Sequence, residues 1–190
     1  MLRLDPMHTA LILIDLQNGI ISMPLAPRTG EETLGAGMAL AARCRNAGAT
    51  VILVRVAFAA DFSDAPPGQV DQPMRRPETG LPANWSTLAD GLQQPGDIVV
   101  TKRHWGAFTG TELDIVLRRR GIRTVVVAGI ATNFGIESTV RHAWEFGYDV
   151  VVAEDACTSV SADLHAMAID HILPRVSRVV RAEDLEFASA

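Results

Sequence analysis

The chain has 190 residues, 48% hydrophobic and 21% charged, which is enough apolar material for one compact domain and argues against disorder. The net charge of −5 is mild and the basic residues are scattered apart from Arg118–Arg120, so a nucleic-acid-binding face is not expected. No apolar run reaches the roughly 18 residues of a membrane helix, and MLRLDPMHTA leads directly into a strand pattern, so a soluble, cytoplasmic protein without a membrane partner is expected.

In chain order, an apolar strand is predicted at Ala10–Ile14, followed by an amphipathic helix over Glu31–Ala47 that stops at Gly48. A second strand covers Val51–Val56. The next stretch, 57–97, holds most of the prolines and little periodicity, the mark of a functional loop or an oligomer contact. A strand at Ile98–Val100, a helix at Thr111–Arg120 ending at Gly121, and a strand at Thr124–Ala128 come next. Ile136–Phe146 reads as a helix ended by Gly147, Val150–Ala153 as a strand, Ser161–Leu173 as a helix halted by Pro174, and Arg178–Val180 as a short last strand. Alternation of β and α elements with continuous apolar strands implies an α/β domain with a parallel sheet covered by helices on both faces. The two cysteines, Cys44 and Cys157, lack C-x-x-C or metal-ligand spacing and read as buried small hydrophobes.

Ligands of open parallel sheets bind beyond the carboxyl ends of the strands, where strand order reverses. That rule selects Asp15, Arg55, Lys102, the turn Ala131–Gly135 and Asp155. Asp15 stands at the mouth of the apolar strand LILI, where it either orders a loop or serves as a carboxylate tuned by burial and a nearby cation. Lys102 occupies the analogous place two strands on, as a surface lysine or as a partner for Asp15 and an anionic substrate. Trp105 and Phe108 flank it, as pocket wall or as packing. Gly135 either permits close backbone approach or leaves N–H groups open to an anion at a helix entrance.

Three stretches, Asp15-Leu-Gln-Asn18, Lys102-Arg-His-Trp-Gly-Ala-Phe108 and GIATNFGIEST from Gly129, resemble the isochorismatase-like hydrolases, also called the cysteine hydrolase family, in combination and in order. The resemblance spans nearly the whole chain. It implies a Rossmann-like three-layer α/β/α domain with a six-stranded sheet, a homodimer or homotetramer, and a cis peptide at Ile130–Ala131. It also implies a catalytic triad of Asp, Lys and Cys falling on Asp15, Lys102 and Gly135, so the nucleophile's position is held by glycine.

Amidase members attack through that thiolate, and here no sulfur is present for an acyl-enzyme. Several also hold a metal with histidines after the second strand; RVAFAADFSD has none, so neither metal nor cofactor is expected. The isochorismatase branch implies another chemistry, hydrolysis of a vinyl ether by carbon protonation and water capture. Asp15 would be the general acid and Lys102 would orient it and meet a carboxylate of a small substrate. Gln17, Arg55, Trp105, Phe108, Ile130, Ala131 and Asn133 are the expected substrate-binding positions, with Arg75 and Arg76 as further carboxylate contacts or plain surface residues. The alternatives are an inactive binder or oligomeric scaffold, and an amidase with Cys157 as a displaced nucleophile.

Overall fold

The structure is a computed structural model describing residues 1–66, 68–74 and 76–188. Its elements are β1 (Leu2–Leu4), β2 (Thr9–Ile14), α1 (Asn18–Ile21), α2 (Gly30–Asn46), β3 (Thr50–Val56) and β4 (Ile98–Lys102). They continue with α3 (Leu113–Arg119), β5 (Thr124–Ile130), α4 (Glu137–Glu145), β6 (Asp149–Thr158), α5 (Ala162–Met167), β7 (Arg178–Val180) and β8 (Leu185–Phe187). Six strands form one sheet in the order β4-β3-β2-β5-β6-β7, and every pairing is parallel. Parallel strands need crossover connections, and the sheet matches both the single α/β domain expected from the alternating pattern and the Rossmann-like, six-stranded arrangement that the resemblance implied.

Strand β2 is buried along its whole length, as a central strand covered on both faces must be. Burial of each Leu, Ile or Val in this layer contributes about 1.5–3 kcal/mol. Helix α2 turns Thr33, Gly37, Leu40, Ala41 and Cys44 inward at helical spacing, and its entrance is fixed by a capping box between Thr29 and Glu32. The chain starts its main sheet in the middle at β2, moves outward through β3 to β4, then returns to the other side of β2 as β5. The carboxyl ends of β2 and β5 therefore meet at the point where strand order reverses. Here β5 approaches closely: a Cβ on Gly129, at φ 121°, would lie 2.1 Å from the Ile14 carbonyl oxygen, so only glycine fits.

Several boundaries differ from the sequence expectation. Strand β6 runs on to Thr158 rather than stopping at Ala153, with a register shift against β5 between Val127 and Gly129. Asp155 and Cys157 are thus strand residues, not residues of a following loop. Helix α4 begins at Glu137, because Thr132–Ile136 is a wider π-helical turn. The final helix is α5 followed by a second such turn at Ala168–Ile172, and Pro174 lies in a 3₁₀ turn at Leu173–Arg175. The small parallel pair of β1 with β8 was too short to carry a pattern.

The irregular connection 57–97 is docked by its second half. Asn18 N–H donates to the Thr87 carbonyl, Gly19 N–H to Trp85, and Ala89 N–H to Leu16, so this segment runs antiparallel beside the start of α1. A Cβ on Gly19 would overlap the Trp85 indole at 2.0 Å, which explains the glycine. Among the described residues no helix is long and apolar enough to cross a membrane.

Candidate active site

Asp15 is the first residue beyond β2, held in left-handed backbone at φ 54° with its N–H donating to the Val54 carbonyl. That conformation is rare outside glycine and turns the carboxylate across the strand ends. Lys102 is the last residue of β4, two strands away with β3 between them. At about 4.8 Å per strand the gap is about 10 Å, which the long lysine and the aspartate span together by reaching toward each other. Lys102 Nζ donates to Asp15 Oδ2 at 2.8 Å and to the His104 carbonyl at 3.1 Å.

The pair is buried, Asp15 at 6% exposure and Lys102 at 2%, so each charge depends on the other. Asp15 Oδ1 is also buried and has no hydrogen-bond partner among the described residues. Burial pushes the Asp15 carboxyl up to about 6, and the Lys102 ammonium offsets only part of that.

Gly135 lies in the turn between β5 and α4, directly opposite this pair. A Cβ there would sit 3.5 Å from Asp15 Oδ2, 3.5 Å from the Ile130 carbonyl oxygen and 3.1 Å from Ile14 Cγ2. A side chain at this position would point at the carboxylate, so the structure brings Asp15, Lys102 and Gly135 together. The turn is shaped by Phe134 and Ile136 N–H groups that both donate to the Ala131 carbonyl at 3.1 Å. The Ile130–Ala131 peptide ahead of it is cis, as the resemblance implied.

The other expected residues divide. Ile130 ends β5 with its carbonyl oxygen facing Gly135, Ala131 leads into the turn, and Asn133 is held by the Ser159 hydroxyl, which donates to its Oδ1. Trp105 is 62% exposed and packs against Phe134 at 4.8 Å between centroids, forming an apolar rim. Phe134 was not singled out from sequence, since a lone aromatic in a turn carries no pattern.

Three expectations are corrected, for Gln17, Arg55 and Phe108, and the expected burial of both cysteines is met. Gln17 is fully buried, with Nε2 donating to the Val56 and Trp85 carbonyls and Oε1 accepting from Val56 N–H; its amide is used up in bracing the loop. Arg55 pairs in register with Thr101, one position before the Val56–Lys102 pair. Strand alternation therefore sends it to the opposite sheet face, where Nε donates to the Thr101 hydroxyl. Phe108 is a core residue, edge-on to Phe146 at 5.4 Å and beside Tyr148 at 6.0 Å. Cys157 is fully buried, its thiol donating to the Ala153 carbonyl and pushed up to about 12 by burial, so it is no displaced nucleophile. Cys44 is likewise buried and pushed up to about 12 by burial. Arg76 is exposed and donates to the Pro66 carbonyl; Arg75 lies outside the described residues.

Behind the turn, sequence reasoning missed a polar cluster. His165 is 5% exposed; its Nδ1 meets the Thr132 hydroxyl at 2.8 Å and its Nε2 faces Glu154 at 3.3 Å. Glu154 also accepts from Arg28 at 2.7 Å. Burial lowers the imidazole pKa, so Thr132 is positioned by a histidine biased toward neutrality.

Comparison with known proteins gives this arrangement a context. Residues 9–184 match the isochorismatase domain. The chain is 46% identical over 186 residues to the isochorismatase family protein YecD of Escherichia coli O157:H7, covering 97% of this chain and 98% of that one. It is 36% identical to the ureidoacrylate amidohydrolase RutB of Variovorax paradoxus, across 82% of this chain and 70% of the relative. A solved isochorismatase family protein from Burkholderia thailandensis superposes with a TM-score of 0.88 at 42% identity, with 94% of each chain covered.

Proposed function

The chain belongs to the isochorismatase family, a family of hydrolases, and from that premise we propose that it hydrolyses a vinyl ether of a small carboxylic acid, using Asp15 as general acid and no protein nucleophile. The observation that carries this reading is the buried Asp15 carboxyl, raised to about 6, facing a glycine where a nucleophile would stand.

A carboxylic acid with that pKa keeps an appreciable protonated fraction near neutrality and is close to optimal for proton transfer. Asp15 gives its proton to the terminal vinyl carbon, and the electrons of the double bond form the new C–H bond. The resulting oxocarbenium ion is captured by water, which loses its proton to the Asp15 carboxylate. The hemiketal then collapses to a keto acid and the free alcohol. Lys102 holds the carboxyl in place and offers its positive charge to the substrate carboxylate. Trp105 and Phe134 provide an apolar wall for the rest of the molecule. Amide hydrolysis through an acyl-enzyme, which requires a side-chain nucleophile, has no support at Gly135. The same reading includes a homodimer or homotetramer, for which exposed Trp144 and Phe146 offer apolar surface; sedimentation velocity decides it.

The test is a hydrolase screen covering vinyl ethers, amides and carbamates of small acids. Turnover of a vinyl ether by the wild type and its loss in Asp15→Asn is the expected result. Binding of the same acids without turnover would replace the enzyme by a small-molecule binder, and equal rates in the variant would remove Asp15 as the acid.

A further inference from the structure

Thr139 is fully buried on α4, one turn beyond Gly135. Its hydroxyl donates to the Gly135 carbonyl at 2.6 Å, the local bond a helical threonine commonly makes to the residue four positions back. The same oxygen accepts from the Ala107 N–H at 3.0 Å, and that bond is not local: it crosses 32 residues of chain to the segment that follows β4. This segment also supplies the His104 carbonyl, the second acceptor of Lys102 Nζ. It lies tight against α4, since a Cβ on Gly106 would come within 2.8 Å of His142 Nδ1 and 2.9 Å of Ser138 Oγ.

We propose that Thr139 is a positioning residue of the active site: its single hydroxyl ties the turn carrying Gly135 to the segment that seats Lys102, and so sets how firmly Lys102 is held against Asp15. The proposal rests on Asp15 and Lys102 being the reacting pair. Thr139 hydrogen-bonds to neither of them. Without the hydroxyl, the Ala107 N–H loses its buried acceptor and the 104–107 segment is free to shift, taking the His104 carbonyl with it. Lys102 is the charged side chain in ion-pair reach of Asp15 among the described residues, so a change in its seating registers directly at the carboxyl.

The experiment needs no substrate: the Asp15 carboxyl carbon is followed by NMR through a pH titration in Thr139→Val, Thr139→Ser and Gly106→Ala, with Asp15→Asn to assign the signal. Thr139→Val is expected to raise the midpoint by about one pH unit, the low end of what a neighbouring cation contributes. Thr139→Ser, which keeps the oxygen, should overlay the wild type. Gly106→Ala displaces the same segment from the other side and should shift the midpoint upward too, which preserves the test if Thr139→Val does not fold. An unchanged Asp15 midpoint in both Thr139→Val and Gly106→Ala, with only a lower melting temperature, would make Thr139 a packing residue and overturn the proposal. A raised midpoint in a protein that turns over no vinyl ether would uphold the coupling while rejecting the reaction assigned to the site.

Discussion

Lys102 Nζ donates to one oxygen of Asp15, Oδ2, at 2.8 Å, while the other, Oδ1, is buried with no hydrogen-bond partner among the described residues. The pair is therefore mutually dependent for charge and incomplete in hydrogen bonding. Lys102→Met leaves Asp15 without its cation and is expected to destabilise the protein by about 3–5 kcal/mol at neutral pH. The double variant Asp15→Asn/Lys102→Met should recover part of that loss. Urea unfolding of the single and double variants measures the coupling, and strict additivity would show that the ion pair is energetically idle.

The pH dependence has a defined sign. Asp15 binds its proton more tightly folded, at about 6, than its ordinary value of 3.8, so between those values the native state holds more protons than the unfolded one. Its contribution to stability is complete below about 4 and is lost as pH rises through about 6. In the proposed reaction the acid form is also the reactive one, so kcat for vinyl-ether hydrolysis should fall along a limb centred near 6 as pH rises. Urea midpoints and kcat measured from pH 4 to 8 test both. A rate that climbs across this interval would assign Asp15 the opposite role, that of a base.

A thiol placed at Gly135 meets the carboxylate at once. The Cβ clears the backbone and is tight only against Ile14 Cγ2 at 3.1 Å, so Gly135→Cys should fold with a destabilisation of about 1–2 kcal/mol. Folded wild-type protein should resist iodoacetamide, because both of its cysteines are buried and shifted toward the protonated thiol. The variant should take up one alkyl group per chain at position 135, by intact mass and peptide mapping. Modification of Cys157 in the folded wild type would contradict its burial.

Gln17 is predicted to govern the loop rather than the ligand. Gln17→Leu removes three hydrogen bonds, two of them buried, and strands the Val56 N–H, at a cost of about 2–4 kcal/mol. Limited proteolysis should then cut within 57–97 at protease concentrations that leave the wild type intact. The same loop cleavage in both proteins would show that backbone pairing beside α1 suffices.

Arg55 provides the complementary case. Its side chain is on the sheet face away from Lys102, so Arg55→Ala should keep kcat and KM within about twofold of the wild type, the limit of a small surface effect. A tenfold rise in KM would return it to the substrate site.

The strands could be anticipated from their apolar runs because burial on both faces leaves no polar alternation to obscure them, as in β2 and β5. Asp15, Lys102 and Gly135 could be placed at strand ends for the same reason. Their convergence depends on strand order, which places β2 beside β5 and is not written in any local pattern. Gln17 and Phe108 follow Asp15 and Lys102 closely in sequence and Arg55 stands at a strand end, but none of these positions reveals where its side chain points. Side-chain direction depends on register, and a one-residue step from Lys102's partner Val56 to Arg55 reverses the face. Thr139 lay in plain view within the GIATNFGIEST stretch, but its importance comes from Ala107, which only the folded chain brings to it.

Gly135 has a consequence for endurance. A catalytic thiolate is also the atom that peroxide converts to sulfenic and then irreversibly to sulfinic acid. At this site the corresponding position offers no oxidisable atom, and the chain's two sulfhydryls are shut inside the core. In the proposed reaction a carboxyl and water replace sulfur, which gives up covalent catalysis and removes from the site the thiolate through which peroxide inactivates a cysteine hydrolase.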